Sequence, residues 1–85
     1  MPKSVFSDAY ALVIEHLVEL RKAQQVSQVE LARRLVKTQQ WVSFVERKER
    51  RLDVIEFYAL VKALGADPEK ALIKLFRALP NDIRI

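Results

Sequence analysis

Cysteine is absent from this 85-residue chain, glycine occurs once and proline three times. Without cysteine the chain forms neither a disulfide framework nor a thiolate metal site, which fits a reducing compartment. No apolar run approaches the roughly 18 residues of a membrane span, and the N-terminal MPKSVFSDAY lacks the layout of a signal peptide. The sequence therefore predicts a soluble, cytoplasmic protein with one domain, residues 1–85.

Positive charge is concentrated in the middle of the chain. Residues 21–51 hold nine Lys or Arg against three Asp or Glu, whereas the remainder holds six against eight. A basic centre between slightly acidic ends indicates one positive surface, as is typical of proteins that bind nucleic acid. The alternative is an ordinary solvated charged face.

Apolar spacing and helix caps predict five helices and no strand. Helix 1 is expected from about Ser7 to Gln24. Helix 2 begins after Ser27, which forms a capping-box pattern with Glu30, and helix 3 begins after Thr38. The expected core stripe of helix 1 is Tyr10, Val13, Ile14, Leu17 and Leu20.

Helices 4 and 5 have equally clear boundaries. Asp53 with Glu56 opens helix 4, and Gly65 supplies the left-handed conformation that ends it. Asp67 caps helix 5, which stops at Pro80. The apolar set of helix 4 is Ile55, Phe57, Tyr58, Leu60, Val61 and Leu64. The expected inner face of helix 5 is Leu72, Leu75, Phe76 and Leu79.

Helices 2 and 3 span about two turns each, too short for an isolated helix to be stable in water. A helix-turn-helix unit over about residues 27–47 explains the pair, because the first helix braces the second in the DNA major groove. Ala32 is the small residue at the crossing, and Val42 is expected to face it. Around helix 3, apolar Trp41, Val42 and Val45 lie opposite polar Gln39, Gln40, Ser43 and Arg47.

Three segments, LRKAQQVSQVELARRL, TQQWVSFVERKERRLD and YALVKALGADPEKAL, together resemble the lambda-repressor/Cro-like helix-turn-helix regulators of bacteria and phages. This family is also called the xenobiotic-response-element type. The resemblance implies an all-α, compact five-helix DNA-binding domain. It assigns Gln28 and Thr38 to phosphate contacts, and Gln39, Gln40 and Ser43 to the groove-reading face.

Two positions depart from the family pattern, since Val36 and Lys48 stand where glycine is common. Val36 lies in the turn and Lys48 follows the recognition helix. A left-handed residue with a Cβ costs about 1–2 kcal/mol. Either the turn is remodelled or stability is lost elsewhere.

The expected base contacts are Gln39, Gln40, Ser43 and Phe44. Glutamine bonds adenine bidentately through N6 and N7, whereas Ser43 reaches a base or a phosphate. Phe44 either touches a thymine methyl or covers the core edge. Solvated surface is the alternative for the polar residues.

The basic segment ERKERRLD either clamps DNA phosphates or forms a solvated loop. Arg51 is set apart from the clamp, because an acid such as Glu46 is expected to pair with it. The expected phosphate contacts are Ser27, Gln28, Lys37, Thr38, Arg47, Lys48 and Arg50.

The sequence contains no nucleophile–base arrangement, phosphate loop or metal-ligand cluster, so we expect no catalysis, metal, cofactor or small-molecule ligand. His16 stands alone and is typical of a surface or partly packed histidine. The pattern predicts a sequence-specific regulator, a repressor, that binds a palindromic operator in double-stranded DNA. The alternative is an antitoxin-like or assembly module that binds a protein, for which an exposed apolar stripe on helix 3 would be expected.

A symmetric homodimer is expected, because one small domain reads only a few base pairs. The predicted interface is helix 5 with the C-terminal tail, and helix 1 is the second choice. The supporting residues are Leu12, Val18 and Ile73, which lie off the helix stripes, and Ile83 and Ile85 in the C-terminal tail. The alternative is that they pack within the domain.

Overall fold

Five helices make up the computed structural model, which describes residues 8–83. The helices are α1 (Asp8–Ala23), α2 (Gln28–Leu35), α3 (Gln39–Glu46), α4 (Val54–Ala63) and α5 (Pro68–Ala78). No strand occurs within this range, and the prediction of a five-helix, all-α fold is confirmed. Ser7 and Ile85 lie outside the described residues. Across residues 8–83, no helix has the length and apolar character to span a membrane.

The hydrophobic core is formed by residues from α1 to α4. Ile14 of α1, Leu31 of α2, Val42 and Val45 of α3 and Val61 of α4 are each at most 2% exposed. Burying such a side chain contributes about 1.5–3 kcal/mol. The core therefore holds α3 along its apolar side and leaves its opposite side turned outward.

The outward sides of α4 and α5 carry exposed apolar residues. Ile55 and Tyr58 are 72% and 55% exposed. Phe76, expected on the inner face of helix 5, is 61% exposed, so that prediction was wrong. Ile55 and Tyr58 are exposed because α4 packs mainly against α2 and α5, which leaves no helix over the outward side of its first turns, and Phe76 lies on the side of α5 away from α4. Val18 is the opposite case, because this residue, expected off the stripe, packs against the core.

Helices α1 to α4 all end in the same left-handed turn, in which an amide bonds the carbonyl five residues earlier. In the turn between α2 and α3, for example, the Lys37 N–H donates to the Ala32 carbonyl at 2.9 Å. Val36 therefore adopts the left-handed conformation in this turn although its side chain is β-branched. The left-handed residues are Gln25, Val36, Lys48 and Gly65, with φ of 58°, 56°, 64° and 80°.

Val36→Gly is expected to raise the free energy of unfolding by about 0–1.5 kcal/mol. Val36 is 89% exposed, so its truncation leaves no cavity. Glycine removes a left-handed penalty of about 1–2 kcal/mol and adds an entropic cost of about 0.5–1 kcal/mol. Urea denaturation at constant m-value measures the difference.

Val29→Gly is the matched control, since Val29 is also exposed but lies within helix α2. It should lower stability by about 0.5–1 kcal/mol, the usual cost of glycine in a helix. A loss above about 2 kcal/mol for Val36→Gly would show that Val36 is packed in the core.

Candidate nucleic-acid interface

Two hydroxyl groups cap the helices of the predicted helix-turn-helix. Ser27 Oγ accepts from the Glu30 N–H at 3.0 Å, and Thr38 Oγ1 accepts from the Trp41 N–H at 3.1 Å. Both capping residues are exposed. Each hydroxyl keeps its own proton, which it can donate to a DNA phosphate. The caps are confirmed, and the phosphate contacts stay a prediction.

The capping box expected at Ser27 is only half formed, because the Glu30 side chain bonds elsewhere. Its carboxylate accepts from Arg33 at 2.9 and 2.6 Å and from Arg34 at 2.8 Å. These hydrogen bonds, with that of Arg33 the strongest cause, lower the pKa of Glu30 to about 2. Arg34 also donates to the Ala63 carbonyl of α4 at 2.8 Å, so the cluster links α2 to α4.

Helix α3 separates its polar and apolar sides as the sequence predicts. Gln39 and Gln40 are exposed and Ser43 is half-buried, whereas Val42 and Val45 lie in the core. This arrangement presents amides and a hydroxyl, the groups that pair with base edges in the major groove.

Phe44 is half-buried, with the Arg47 guanidinium 5.1 Å from its ring centroid. This cation–π contact orients the first cation after α3. The two functions considered for Phe44, contact with a thymine methyl and cover for the core edge, both stay predictions.

A chain of hydrogen bonds connects Gln39 to the domain interior. Gln39 Nε2 donates to Gln28 Oε1 at 3.0 Å, and Gln28 Nε2 donates to Glu46 Oε1 at 2.8 Å. Glu46 is held by Arg21 of α1, through Nε to Oε2 at 2.6 Å and Nη2 to Oε1 at 3.0 Å. Arg21 also donates to the Val26 carbonyl at 2.8 Å. The exposed Gln39 side chain is thus attached to a side-chain pair that is only 11% and 13% exposed.

The expected pairing of Arg51 with Glu46 was wrong. Glu46 pairs with Arg21, and the Arg51 guanidinium lies 4.8 Å from the Tyr10 ring centroid. Arg21 and Glu46 are 25 residues apart, so no helical spacing links them. The sequence shows an arginine in the last turn of helix 1 and an acid at the end of helix 3. Neither position indicates which residue it pairs with.

Within the basic segment, Arg50 is a residue with an acidic partner. Its guanidinium donates to the Glu56 carboxylate at 3.0 and 2.9 Å. This bond, followed by that from the Asp53 N–H, lowers the pKa of Glu56 below its usual range. The predicted capping box of Asp53 and Glu56 is complete. Arg50 and Lys37 also lie over the Trp41 ring, at 5.1 and 5.5 Å from its centroid.

The other two expected clamp residues form weaker ion pairs. Arg47 Nε lies 3.2 Å from Glu49 Oε2, with both side chains 55% exposed. Lys48 Nζ lies 3.4 Å from Glu15 Oε2 of α1. Exposed pairs of this kind contribute about 0–1 kcal/mol, so a DNA phosphate can replace the carboxylate at small cost.

Within residues 8–83, no group of His, Cys, Asp or Glu could hold a metal ion. His16 is partly packed, with Nδ1 2.8 Å from the Leu12 carbonyl oxygen. The structure thus brings the predicted base readers onto one helix side, with the predicted phosphate contacts in the helix caps, in the turn and after α3.

Comparison with known proteins identifies close structural relatives. A helix-turn-helix family model matches residues 17–71. The solved structure of an XRE-family like protein from Pseudomonas syringae pv. tomato str. DC3000 superposes with a TM-score of 0.80 and 43% identity, over 85% of this chain and 88% of that chain. No curated protein matches the chain.

Two further solved structures share the fold. The restriction-modification controller protein C.AhdI from Aeromonas hydrophila is 30% identical over 75% of this chain and 96% of that chain, with a TM-score of 0.63. The clp gene regulator ClgR from C. glutamicum has a TM-score of 0.70 over 87% of this chain and 95% of that chain. At 23% identity, ClgR is similar in fold alone.

The Glu30 cluster predicts a pH dependence of stability. The pKa of this carboxyl falls from 4.5 to about 2 on folding, so it stabilises the fold above its ordinary pKa and loses that contribution as the pH falls through the folded value. The midpoint of thermal unfolding should therefore fall between pH 4.5 and 2, and Glu30→Gln should reduce the fall. Circular dichroism melts across this range measure it.

Glu69→Gln is the control for this prediction, because Glu69 is an exposed acid in the first turn of α5. It should leave the fall in melting temperature unchanged. Parallel curves for the wild type and Glu30→Gln would contradict a stabilising role for the Glu30 carboxylate.

Proposed function

The chain belongs to the XRE-type helix-turn-helix family of DNA-binding regulators, and we propose that it is a repressor that recognises a specific operator sequence. In this proposal two copies bind a palindrome in double-stranded DNA, each with α3 in the major groove. Occupation of the operator is itself the regulatory act, performed in the cytoplasm without cofactor or catalysis.

The observation that carries the proposal is the polar outward side of α3. Gln39, Gln40 and Ser43 lie there on a helix whose other side is fixed in the core. Side-chain amides bond adenine through N6 and N7, and a hydroxyl bonds a base or a phosphate. A helix that binds a protein partner would instead present an apolar stripe, which favours the regulator over the antitoxin-like or assembly module.

Phosphate contacts on both sides of α3 would set its depth in the groove. The Ser27 and Thr38 hydroxyls and the Gln28 amide lie at helix starts, which carry partial positive charge. Lys37, Arg47, Lys48 and Arg50 supply the cations. Arg50 has five donor protons, so binding to Glu56 leaves donors for a phosphate.

A homodimer through α5 and the tail is part of the proposal. Ile73, Phe76 and Ile83 are 45%, 61% and 41% exposed, which leaves apolar surface for a second copy. Helix α1 is a weaker choice because Val18 packs inward and Leu12 is half-buried. Two copies would read half-sites about 34–36 Å apart.

Selection of bound fragments from random duplex DNA tests the function and yields the operator. We expect a palindromic motif, and a motif without two-fold symmetry would overturn the dimer. Gln39→Ala and Gln40→Ala should then lose discrimination at single base pairs, with at least one costing about 1–3 kcal/mol. Gln24→Ala removes the same kind of amide just after α1, where it bonds the Leu64 carbonyl and not a residue of α3, and should keep the wild-type preference. Unchanged preference in both α3 variants would overturn the base-reading function.

Arg47→Ala should weaken binding to all sequences alike. One fewer counterion is released, so the slope of log affinity against log salt should flatten by about one unit. Lys62→Ala, which removes a cation from the exposed end of α4, is the control and should leave the slope unchanged. An unaltered slope in Arg47→Ala would place this residue away from the DNA.

A further inference from the structure

The hydrogen bonds from Gln39 through Gln28 to Glu46 all run in one donor-to-acceptor direction. That direction affects which base Gln39 can bind. We infer that Glu46 is a positioning residue that determines which base Gln39 reads, because it fixes the orientation of the Gln28 and Gln39 amides. The inference rests on the proposed function, since it concerns the base preference of the same reading helix.

The first link starts at a group that has acceptors only. A carboxylate carries no proton to donate, so the Gln28 amide must turn its NH₂ toward Glu46 Oε1, at 2.8 Å. The opposite orientation would bring a carbonyl oxygen against a carboxylate oxygen. Gln28 Oε1 is consequently the atom left to face Gln39.

The second link transmits this choice to the exposed end. Gln28 Oε1 accepts from Gln39 Nε2 at 3.0 Å, which uses one of the two Gln39 amide protons. Gln39 then offers the groove one carbonyl oxygen and one N–H. Adenine offers a donor at N6 and an acceptor at N7, whereas guanine offers acceptors at both O6 and N7. The observed direction therefore matches adenine.

If the donor-to-acceptor direction of these hydrogen bonds were reversed, Gln39 would match guanine. With both amides turned over, Gln39 Oε1 would accept from Gln28, and the two Gln39 amide protons would face the groove. Two donors pair with the O6 and N7 acceptors of guanine. Because the amide nitrogen and oxygen are nearly equal in size, the two directions occupy the same space and differ only in polarity.

Glu46 is held in place by a partner that has donors only. The Arg21 guanidinium bonds both carboxylate oxygens, at 2.6 and 3.0 Å, and its third nitrogen bonds the Val26 carbonyl at 2.8 Å. The two side chains are only 11% and 13% exposed, so water does not readily replace either one. The direction is thus set inside the domain, away from the bases.

Glu46→Gln tests the inference, because it keeps the shape and adds a donor. The oxygen of the introduced amide would keep the shorter bond from Arg21 Nε, at 2.6 Å, and its NH₂ would take the place of Oε1 and face Gln28. This gives up the 3.0 Å bond from Arg21 Nη2 and reverses the hydrogen-bond chain. At the base pair where Gln39→Ala loses discrimination, the ratio of affinities for adenine over guanine should fall about tenfold, the discrimination that one bidentate contact supplies. Competition binding to operators that differ at this base pair measures the ratio.

Glu49→Gln is the matched control, since it removes one negative charge just beyond the same helix from a half-exposed pair with Arg47. It should change the affinity for both operators by the same factor and leave the ratio as in the wild type. An equal fall of the ratio in Glu49→Gln would show that net charge, and not chain direction, sets the preference.

Gln28→Met provides a second test that keeps the Arg21–Glu46 pair and breaks the chain at its middle. Gln39 is then free to turn either way, so the adenine preference should fall without a gain for guanine. If circular dichroism shows that Glu46→Gln is unfolded, the adenine preference of Gln28→Met tests the inference. An unchanged ratio in every folded variant, while Gln39→Ala loses discrimination, would overturn the inference and leave the proposed function standing. Retained discrimination in Gln39→Ala would overturn the proposed function itself.

Discussion

The ion pair between Arg21 and Glu46 is the interaction on which the rest of the interface depends. It joins α1 to the end of α3, and the same guanidinium holds the Val26 carbonyl just before α2 begins. Loss of one partner from a largely buried pair leaves a charge without compensation, which is strongly destabilising. Helix α3, which carries the proposed base-reading residues, is therefore fixed both by apolar burial and by one ion pair. The two interactions have different effects. Burial holds α3 in the domain, and the ion pair orients the exposed Gln39 amide through Gln28.

Residues close in sequence allowed much of this fold to be predicted. Ser27, Thr38, Asp53 and Asp67 all cap helices as expected, because a cap depends on amides two or three residues away. The outward position of Gln39 and Gln40 followed from helical spacing for the same reason. These signals are local, and they determine where each helix begins and which of its sides is polar.

Most features that sequence patterns missed depend on which helices become neighbours, whereas the pairing of Glu30 is local. Arg21 finds Glu46 across 25 residues, and no periodicity identifies that pair. Ile55 and Tyr58 fit an apolar stripe, yet their exposure depends on which helix covers α4. The Glu30 carboxylate could bond either the Ser27 N–H or the two nearby arginines. It bonds the arginines, because hydrogen bonds between charged groups are stronger.

Trp41 gives the molecule an optical property. It is the only tryptophan in the chain, and its indole ring lies beneath Lys37 and Arg50, two residues that the proposal places on DNA phosphates. Indole emission responds to nearby charge, so a phosphate that draws these cations from the ring changes the fluorescence of a single known site. The Trp41 fluorescence of the unlabelled protein can therefore be used in a rapid-mixing experiment to follow DNA binding at one edge of α3.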